Sequence, residues 1–260
     1  MKKINVGIAG GAGYTGGELI RILIHHPQVN IAFIHSSSNV GKPISAVHTD
    51  LVGDTDLVFT SVFSDQIDVL FLCVGHGEAK KILAEQRVSA SVSIIDLSQD
   101  FRLTPNATIG DRTFVYGLPE LNREKITTAK NIANPGCFAT AIQLALLPLA
   151  KNNLIKDAVH INATTGSTGA GVGLSATSHF SWRNNNLSWY KPFTHQHLGE
   201  IHQSLQQLKA PSKLFFMPQR GDFTRGIFAT AYTPFEGSLE EAKALYQKYY
   251  ASHPFTQISD

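Results

Sequence analysis

Short apolar runs alternate with amphipathic stretches along the first part of the chain. In two stretches an apolar residue recurs every three or four positions, which predicts helices over Thr15–His26 and His76–Arg87. Runs that are apolar almost throughout predict strands over Ile4–Ala9, Val29–Ile34, Asp68–Val74 and Ser93–Leu97. Strands that are apolar on both sides belong to parallel sheets with helices on both faces, so the pattern predicts an α/β, Rossmann-type domain.

The pattern changes after Asn134-Pro135-Gly136, where we place the boundary between domains of residues 1–135 and 136–260. A long apolar helix and a second helix frame several strands of alternating or aromatic character, which indicates an α+β domain with an antiparallel or mixed sheet. The predicted elements are helices over Phe138–Ala150 and Leu239–Ala251 and strands over Ala158–Thr164, Lys213–Met217, Gly226–Tyr232 and Phe255–Ser259.

A glycine-rich loop follows the first predicted strand and opens the first helix. Gly10, Gly13 and Gly16 have the spacing G-x-x-G-x-x-G, a variant of the dinucleotide-binding fingerprint. Glycines let backbone N–H groups approach a pyrophosphate, and the N-terminus of the helix supplies partial positive charge. We favour nucleotide binding over a plain tight turn because the loop stands in the required strand–loop–helix context.

The end of the second predicted strand indicates which nicotinamide cofactor binds. An NAD site carries Asp or Glu there for the ribose hydroxyls. This chain instead has the hydroxyl-rich run Ser36 to Asn39 with Lys42 close by, which suits a 2′-phosphate. The loop therefore predicts NADP(H), with an ordinary polar loop as the alternative.

Cys137 stands at the start of a predicted helix, directly after Pro135-Gly136. A helix N-terminus stabilises an anion and so favours the reactive thiolate. Nearby backbone N–H groups can also hold an oxyanion. Cys73, the other cysteine, lies inside an apolar strand and is expected to be structural.

The chain resembles the N-acetyl-gamma-glutamyl-phosphate reductases, enzymes of arginine biosynthesis. The strongest match is Asn-Pro-Gly-Cys-Phe-Ala-Thr, Asn134 to Thr140, which is similar to the family's nucleophile motif. Other segments follow in the family's order across nearly the whole chain. They are Gly10 to Leu19, Asp96 to Arg102, Tyr116 to Glu120, Gly166 to Gly171, and His195 to Ile201, which resembles His-x-His-x-Pro-Glu-Ile.

The resemblance implies a glyceraldehyde-3-phosphate dehydrogenase-like fold, with a cofactor domain followed by a catalytic domain. It implies NADPH-dependent reduction of an N-acyl, in particular N-acetyl, glutamyl phosphate to the semialdehyde through a thioester on Cys137. His195 then matches the acid–base residue, and Arg102, His197 and Glu200 match substrate-contacting positions. The positions matched to the cofactor are Gly10, Ala12, Gly13, Tyr14, Thr15, Gly16, Ser36, Ser38, Gly75, Ser167 and Gly169.

Other readings stay open at this point. His195, His197, Glu200 and His202 have spacings that suit a zinc site, but zinc would leave Cys137 and the glycine loop unexplained, so no metal is expected. Aspartate-semialdehyde dehydrogenase shares the implied fold and chemistry but lacks Pro-Gly before its cysteine. A non-catalytic NADP-binding sensor or scaffold would need neither Cys137 nor His195.

Composition adds expectations about partners and location. The chain is 43% hydrophobic and 16% charged, which is ordinary for a folded protein, and its net charge of +2 is too small to indicate a nucleic-acid or membrane partner. With two cysteines, a disulfide framework is not expected, so we expect a cytoplasmic enzyme. We expect a small-molecule substrate and a homo-oligomer.

Two departures from the family pattern change the expectations. Gly199 stands where the family usually has proline, before Glu200. The family also continues with a glycine-rich segment and a helix that returns to the cofactor domain, and nothing in this chain matches them. We therefore expect an exposed apolar patch on the first domain, weakened cofactor binding and a tendency to associate.

Overall fold

The computed structural model describes residues 3–259. Their contacts cluster into two compact units. The first unit comprises Met1–Gly117 with Lys125–Asn134, and the second comprises Leu118–Glu124 with Pro135–Asp260. The boundary drawn from the sequence between residues 135 and 136 stays a prediction about domains.

A parallel sheet forms the centre of the first unit. Its strands are β1 (Ile4–Ala9), β2 (Val29–His35), β3 (Phe59–Thr60), β4 (Val69–Leu72), β5 (Ser93–Asp96), β8 (Val115–Tyr116) and β9 (Asn131–Ala133), and a separate hairpin joins β6 (Thr108–Ile109) to β7 (Arg112–Thr113). Within residues 3–259 the sheet has the order β3-β2-β1-β4-β5-β9-β8. The order doubles back at β1, so β1 and β4 lie side by side at the centre. This is the doubly wound arrangement that the sequence predicted.

Two separate apolar clusters cover the two faces of this sheet. Neighbouring residues of one strand go to opposite faces, so Ile8 and Ala9 belong to different clusters, as do Ile34 and Phe33. Helix α1 (Tyr14–Leu23) packs on one face and α2 (Glu78–Glu85) on the other. Burial on both sides explains why these strands are apolar almost throughout.

The second unit places helices on one face of a mixed sheet. Its helices are α4 (Cys137–Lys151), α5 (Phe180–Arg183), α6 (His197–Gln207) and α7 (Leu239–Tyr250), and its strands are β10 (Val159–Thr165), β11 (Ser188–Trp189), β12 (Leu214–Arg220) and β13 (Ile227–Tyr232). Strand β10 pairs in parallel with β12 and antiparallel with β13. The remaining helix, α3 (Pro119–Thr128), is interrupted by non-helical backbone at Asn122, and its parts belong to different units.

The other face of the mixed sheet is exposed within the described residues. On β10, Val159 and Ile161 are buried under the helices, whereas His160 between them is exposed. His160 lies opposite Tyr232 of β13, which is also exposed. Phe228, four residues before Tyr232 on β13 and therefore on the same face, is 73% exposed. Large aromatic side chains on an uncovered sheet face are typical of an interaction surface.

A proline within α4 is accommodated by the last helix. Pro148 has no N–H, so the carbonyl of Leu144, four residues earlier, lacks its helical donor. The hydroxyl of Tyr250 in α7 donates to this carbonyl, and the hydroxyl of Tyr246 donates to that of Ala145. These contacts attach α7 to α4 and restore the hydrogen bond that the proline removes.

The structure corrects one predicted element and adds several, among them helices α3, α5 and α6 and the short strands β3, β8, β9 and β11. Phe255–Ser259 is not a strand; this segment follows α7 as a turn and irregular backbone. Helix α6 was missed as an element, because its sequence is polar and begins with His197. Among the described residues no helix is long and apolar enough to span a membrane. The apolar patch expected on the first domain stays a prediction.

Candidate active site

Cys137 is the first residue of α4, and its side chain is exposed. Gly136 precedes it as N-cap in an extended conformation, with φ −67° and ψ 148°. The first N–H groups of a helix have no partner inside the helix and carry partial positive charge. The fold therefore presents the thiol where a thiolate and an oxyanion are both stabilised. Cys73 differs, since burial raises the pKa of its thiol to about 12.

The first turn of α6 holds the residue before the cysteine. The backbone N–H of Gly136 donates to Oε2 of Glu200 at 2.9 Å. His197 packs against Gly136 so closely that a Cβ atom there would lie 2.4 Å from its Nε2. The two side chains are buried, with Nε2 of His197 3.9 Å from Oε1 of Glu200. Glycine is thus required at position 136 by the close packing of the histidine ring.

His195 lies just before α6 and is buried among aromatic rings. Its ring centre is 5.4 Å from that of Phe138, 5.7 Å from that of Tyr190 and 4.6 Å from that of His197. Nδ1 of His195 accepts a hydrogen bond of 3.2 Å from the backbone N–H of His197. Because an accepting nitrogen carries no proton, the neutral ring has its hydrogen on Nε2.

The protonated form of His195 is disfavoured. Burial is the main reason, the positive charges of His197 and Lys191 add to it, and Glu200 acts in the opposite direction. Together they lower the pKa of His195 to about 4. The imidazole is therefore neutral near pH 7 and can donate a hydrogen bond from Nε2, but it is a weak base.

The glycine loop of the first unit forms a close-packed cradle. Gly10 has φ +82°, and the N–H groups of Gly10 and Gly11 donate to the carbonyl of His35 at the end of β2. A Cβ at Gly16 would lie 2.5 Å from the carbonyl oxygen of Gly10. Helix α1 therefore begins directly against the loop, and its first residue, Tyr14, is exposed. These features fit a pyrophosphate. The contacts of the glycines, Ala12 and Thr15 with a cofactor stay predictions.

A polar cluster follows β2 in the same unit. The Nδ2 of Asn39 donates to the hydroxyl of Ser38 at 3.1 Å, and the Nζ of Lys42 donates to the Oδ1 of Asn39 at 3.2 Å. The hydroxyls of Ser36 and Ser38 are 3.5 Å apart. Hydroxyl, amide and ammonium groups can all donate to a phosphate, so the cluster fits the 2′-phosphate predicted for this loop.

The other predicted cofactor positions lie in loops. Gly75 is exposed and accepts, through its carbonyl, the N–H of Glu78 at the start of α2. Ser167 and Gly169 lie in a turn of the second unit, where the N–H of Ser167 donates to the carbonyl of Phe223 at 2.9 Å. Their contacts with a cofactor stay predictions.

Arg102 is bound to backbone in the first unit and is only 6% exposed. Its Nε donates to the carbonyl of Asn134 at 2.8 Å, and its Nη2 donates to the carbonyl of Leu97 at 2.8 Å. Asn134 precedes Cys137 by three residues in the chain, so Arg102 fixes the strand end that leads to the nucleophile. Contact of Arg102, His197 or Glu200 with substrate stays a prediction.

Sequence reasoning missed the positioning contacts of this site. Nothing in the chain pattern pairs Glu200 with Gly136, which are far apart in sequence. Tyr190, whose ring contacts His195, was not singled out either. The only sequence signal for the contact between Glu200 and Gly136 was the glycine directly before the cysteine. Among residues 3–259 no group of three or more His, Cys, Asp or Glu side chains is arranged to hold a metal ion.

Family models match nearly the whole chain. Residues 5–129 match the NAD binding domain of semialdehyde dehydrogenases, and residues 137–260 match their dimerisation domain. Curated relatives named N-acetyl-gamma-glutamyl-phosphate reductase are 58% identical in Flavobacterium johnsoniae and 57% in Christiangramia forsetii. These alignments cover 98% and 99% of this chain and 79% of each relative.

Solved structures with the same fold are aspartate semialdehyde dehydrogenases. The enzyme of Candida albicans, solved with NADP, has a TM-score of 0.68 at 16% identity, covering 94% of this chain and 76% of that one. A probable enzyme of this type from Pseudomonas aeruginosa has a TM-score of 0.69 at 14% identity, covering 97% and 80%. The likeness confirms the predicted Rossmann-type domain followed by an α+β domain.

The low pKa of His195 predicts a pH dependence of stability. An unfolded chain protonates this histidine below its ordinary pKa of 6.5, whereas the folded chain resists protonation until about pH 4. The free energy of unfolding should therefore lose a contribution as the pH falls from about 6.5 to 4. His195→Asn should show a flatter decline over this range in urea titrations. Gln196→Ala, at the exposed neighbouring position, should follow the wild type, and a His195→Asn curve parallel to the wild type would contradict the assignment.

Proposed function

Because this chain belongs to the N-acetyl-gamma-glutamyl-phosphate reductase family, we propose that Cys137 and His195 carry out that family's reaction in the second unit. The chain is an oxidoreductase, and its reaction is the reductive dephosphorylation of N-acetyl-gamma-glutamyl phosphate to the semialdehyde. The observation that carries the proposed roles is the exposed thiol at the first position of α4, with its N-cap glycine held by Glu200.

The first step forms a thioester. The Cys137 thiolate attacks the acyl carbon, a carbon–sulfur bond forms, and the bond to the phosphate oxygen breaks, so that inorganic phosphate leaves. The start of α4 directs backbone N–H groups toward the sulfur and toward the oxygen that gains negative charge. A histidine with a pKa of about 4 is a weak base, so we attribute the thiolate mainly to the helix and less to His195.

The second step reduces the thioester to the aldehyde. A nicotinamide held by the first unit would supply the hydride for this reduction. His195 keeps its proton and can donate a hydrogen bond from Nε2 to the oxygen that becomes an alkoxide at the thioester carbon, because a neutral imidazole that lost this proton would become an imidazolate. The carbon–sulfur bond then breaks, which releases the semialdehyde and returns the thiolate. Glu200 and His197 keep Gly136, and with it Cys137, in position through both steps.

The cofactor is a nicotinamide dinucleotide, in agreement with the NAD binding domain matched by residues 5–129. Gly10, Gly13 and Gly16 would hold the pyrophosphate, and Ser36 and Ser38 with Lys42 would hold the 2′-phosphate. The hydroxyl and ammonium donors of this cluster support NADP(H) over NAD(H).

The partner is proposed to be a second copy of the chain. Residues 137–260 carry the dimerisation domain, and the mixed sheet of this unit leaves one face uncovered among the described residues. His160, Phe228 and Tyr232 are exposed on this face. Two such faces packed together would bury the aromatic side chains of both copies.

Relatives and fold neighbours differ in the substrates that their names state. The aspartate semialdehyde dehydrogenases are less than a fifth identical to this chain, so they support the fold alone. The non-catalytic alternative keeps the glycine loop but has no use for the thiol at α4, and a test of Cys137 separates it from the enzyme.

The nucleophile assignment predicts different outcomes for the two cysteines. Cys137→Ser should lower turnover by more than about 10³-fold, because the hydroxyl cannot form the thioester intermediate readily. Cys73→Ser should lower the melting temperature more than turnover. Turnover is measured as phosphate-dependent reduction of NADP⁺ with N-acetyl-glutamate semialdehyde, and cofactor affinity by titration should stay unchanged in Cys137→Ser. Full activity of Cys137→Ser would refute the mechanism.

The polar cluster after β2 predicts a cofactor preference. The wild type should bind NADPH more tightly than NADH, measured by fluorescence titration. Ser38→Asp places a carboxylate at an exposed position of the cluster and should shift the ratio of the two affinities toward NADH by about tenfold, equivalent to about 1.4 kcal/mol. Ser91→Asp, in an exposed loop after α2, should leave the ratio unchanged. Equal binding of both cofactors by the wild type would show that the interpretation of the loop is wrong.

The uncovered sheet face predicts how the chain associates. Phe228→Glu introduces a charge that would be buried between two copies, so the dimer should dissociate at micromolar concentrations. Phe255→Glu, at an exposed position after α7, should leave the molar mass of the dimer in solution unchanged. Light scattering after size-exclusion chromatography measures both, and a dimer that survives in Phe228→Glu excludes this face.

A further inference from the structure

Two arginines from different elements lie together in the second unit. Arg183 is the last residue of α5, and Arg220 is the last residue of β12. Nη1 of Arg183 donates to the backbone carbonyl of Arg220, and its Nη2 donates to the hydroxyl of Ser188 at 2.8 Å. Arg183 thereby joins the loop after α5 to the end of β12. This brace fixes the backbone from which the side chain of Arg220 extends.

The charge of this pair is not neutralised by the chain. Among the described residues neither arginine has a carboxylate within ion-pair distance, although Asp222 acts on Arg183 from further away. Burial, and after it the positive charge of Arg220, lowers the pKa of Arg183. Arg183 is 5% exposed, and the Nε atoms of both arginines are buried without a hydrogen-bond partner.

Such an arrangement is costly in a protein that binds no anion. Charged groups that leave water are normally paired, and a buried donor without a partner loses its hydration without compensation. Two like charges held together add repulsion. An anion with several oxygens, such as a carboxylate or a phosphate, would compensate the unpaired charge, the unpaired donor and the repulsion. It is negative, and a guanidinium can donate two parallel hydrogen bonds to it.

The pair lies beside the reacting residues of the same unit. The guanidinium carbon of Arg220 is 4.8 Å from the ring centre of Tyr190, and the ring of Tyr190 is 5.7 Å from that of His195. Burial raises the pKa of the Tyr190 hydroxyl; the charge of Arg220 opposes this effect, and the charge of Cys137 adds to it. The ring of Tyr190 therefore contacts both Arg220 and His195.

We propose that Arg220, braced by Arg183, binds an oxyanion group of the substrate. The proposal rests on the proposed function, whose substrate carries a carboxylate and a phosphate. Arg220 makes the contact, and Arg183 is a positioning residue that holds the end of β12 and adds positive charge. The contacts of Arg220 itself with Thr177 and Tyr190 hold its guanidinium beside the site.

The reverse reaction separates the two oxyanions, because the semialdehyde carries the carboxylate and inorganic phosphate is a second substrate. Arg220→Met should raise the KM of one of them by about 10- to 100-fold, the range expected for a charge-assisted hydrogen bond, and change kcat less. A raised KM for the semialdehyde assigns the carboxylate, and a raised KM for phosphate assigns the phosphate. Lys156→Met removes an exposed positive charge of the same unit and should change neither.

Further variants keep the test decisive. Arg220→Lys retains the charge but loses the two-pronged geometry, and it should raise the same KM by a smaller factor; it replaces Arg220→Met if that variant does not fold. Arg183→Met should raise the same KM, and Arg183→Lys should restore part of the loss. Unchanged KM values for both substrates in Arg220→Met, or a loss of kcat alone, would overturn the proposal.

A binding measurement separates this proposal from the proposed function. Inorganic phosphate and N-acetylglutamate are titrated separately, and the rise in melting temperature is recorded for the wild type and for Arg220→Met. Stabilisation by one probe that Arg220→Met abolishes supports the oxyanion site even if the wild type proves inactive, in which case only the proposed function fails. An active wild type whose stabilisation by both probes survives in Arg220→Met retains the proposed function and excludes the oxyanion site.

Discussion

The hydrogen bond from the N–H of Gly136 to Glu200 connects the two helices on which the candidate site depends. It joins the first turn of α6 to the residue that caps α4, while the ring of His197 packs against the same glycine. The thiol at the start of α4 and the histidine just before α6 are thereby held by one contact. A buried carboxylate needs compensation, and a backbone N–H with a nearby imidazole provides it.

The two reacting groups that this hydrogen bond holds, the thiol and the imidazole, lie in different surroundings. The thiol is exposed at a helix end, where partial positive charge favours an anion. The imidazole of His195 lies among aromatic rings, where burial favours its neutral form. A cationic imidazole would attract the substrate's anions, whereas the neutral ring donates a hydrogen bond without adding a charge. The helix N-terminus thus favours the thiolate of Cys137, and burial favours the neutral imidazole of His195.

The sequence predicted β1, β2, β4 and β5 of the first unit, because burial on both faces makes each one apolar almost throughout. It missed β3, β8 and β9, which are two or three residues long and too short to show a pattern. It also predicted β10 and β13, whose burial alternates or is partial, but it overextended the pattern to Phe255–Ser259, where no neighbouring strand offers hydrogen bonds. Cys137 and His195 were singled out by motif, and their roles stay predictions. The contacts of Glu200, Tyr190 and Arg220 were not, because side chains far apart in the chain meet only once the helices pack on the sheet.

The replacement of a missing helical hydrogen bond in α4 has a consequence for substitutions in two different helices. Pro148 leaves the carbonyl of Leu144 without its donor, and the hydroxyl of Tyr250 takes that role from another helix. Loss of the hydroxyl alone would leave this partly buried carbonyl without a donor, and loss of the proline alone would give it two competing donors. The effects of substitutions at positions 148 and 250 on stability are therefore coupled, so that a change at one position alters the cost of a change at the other.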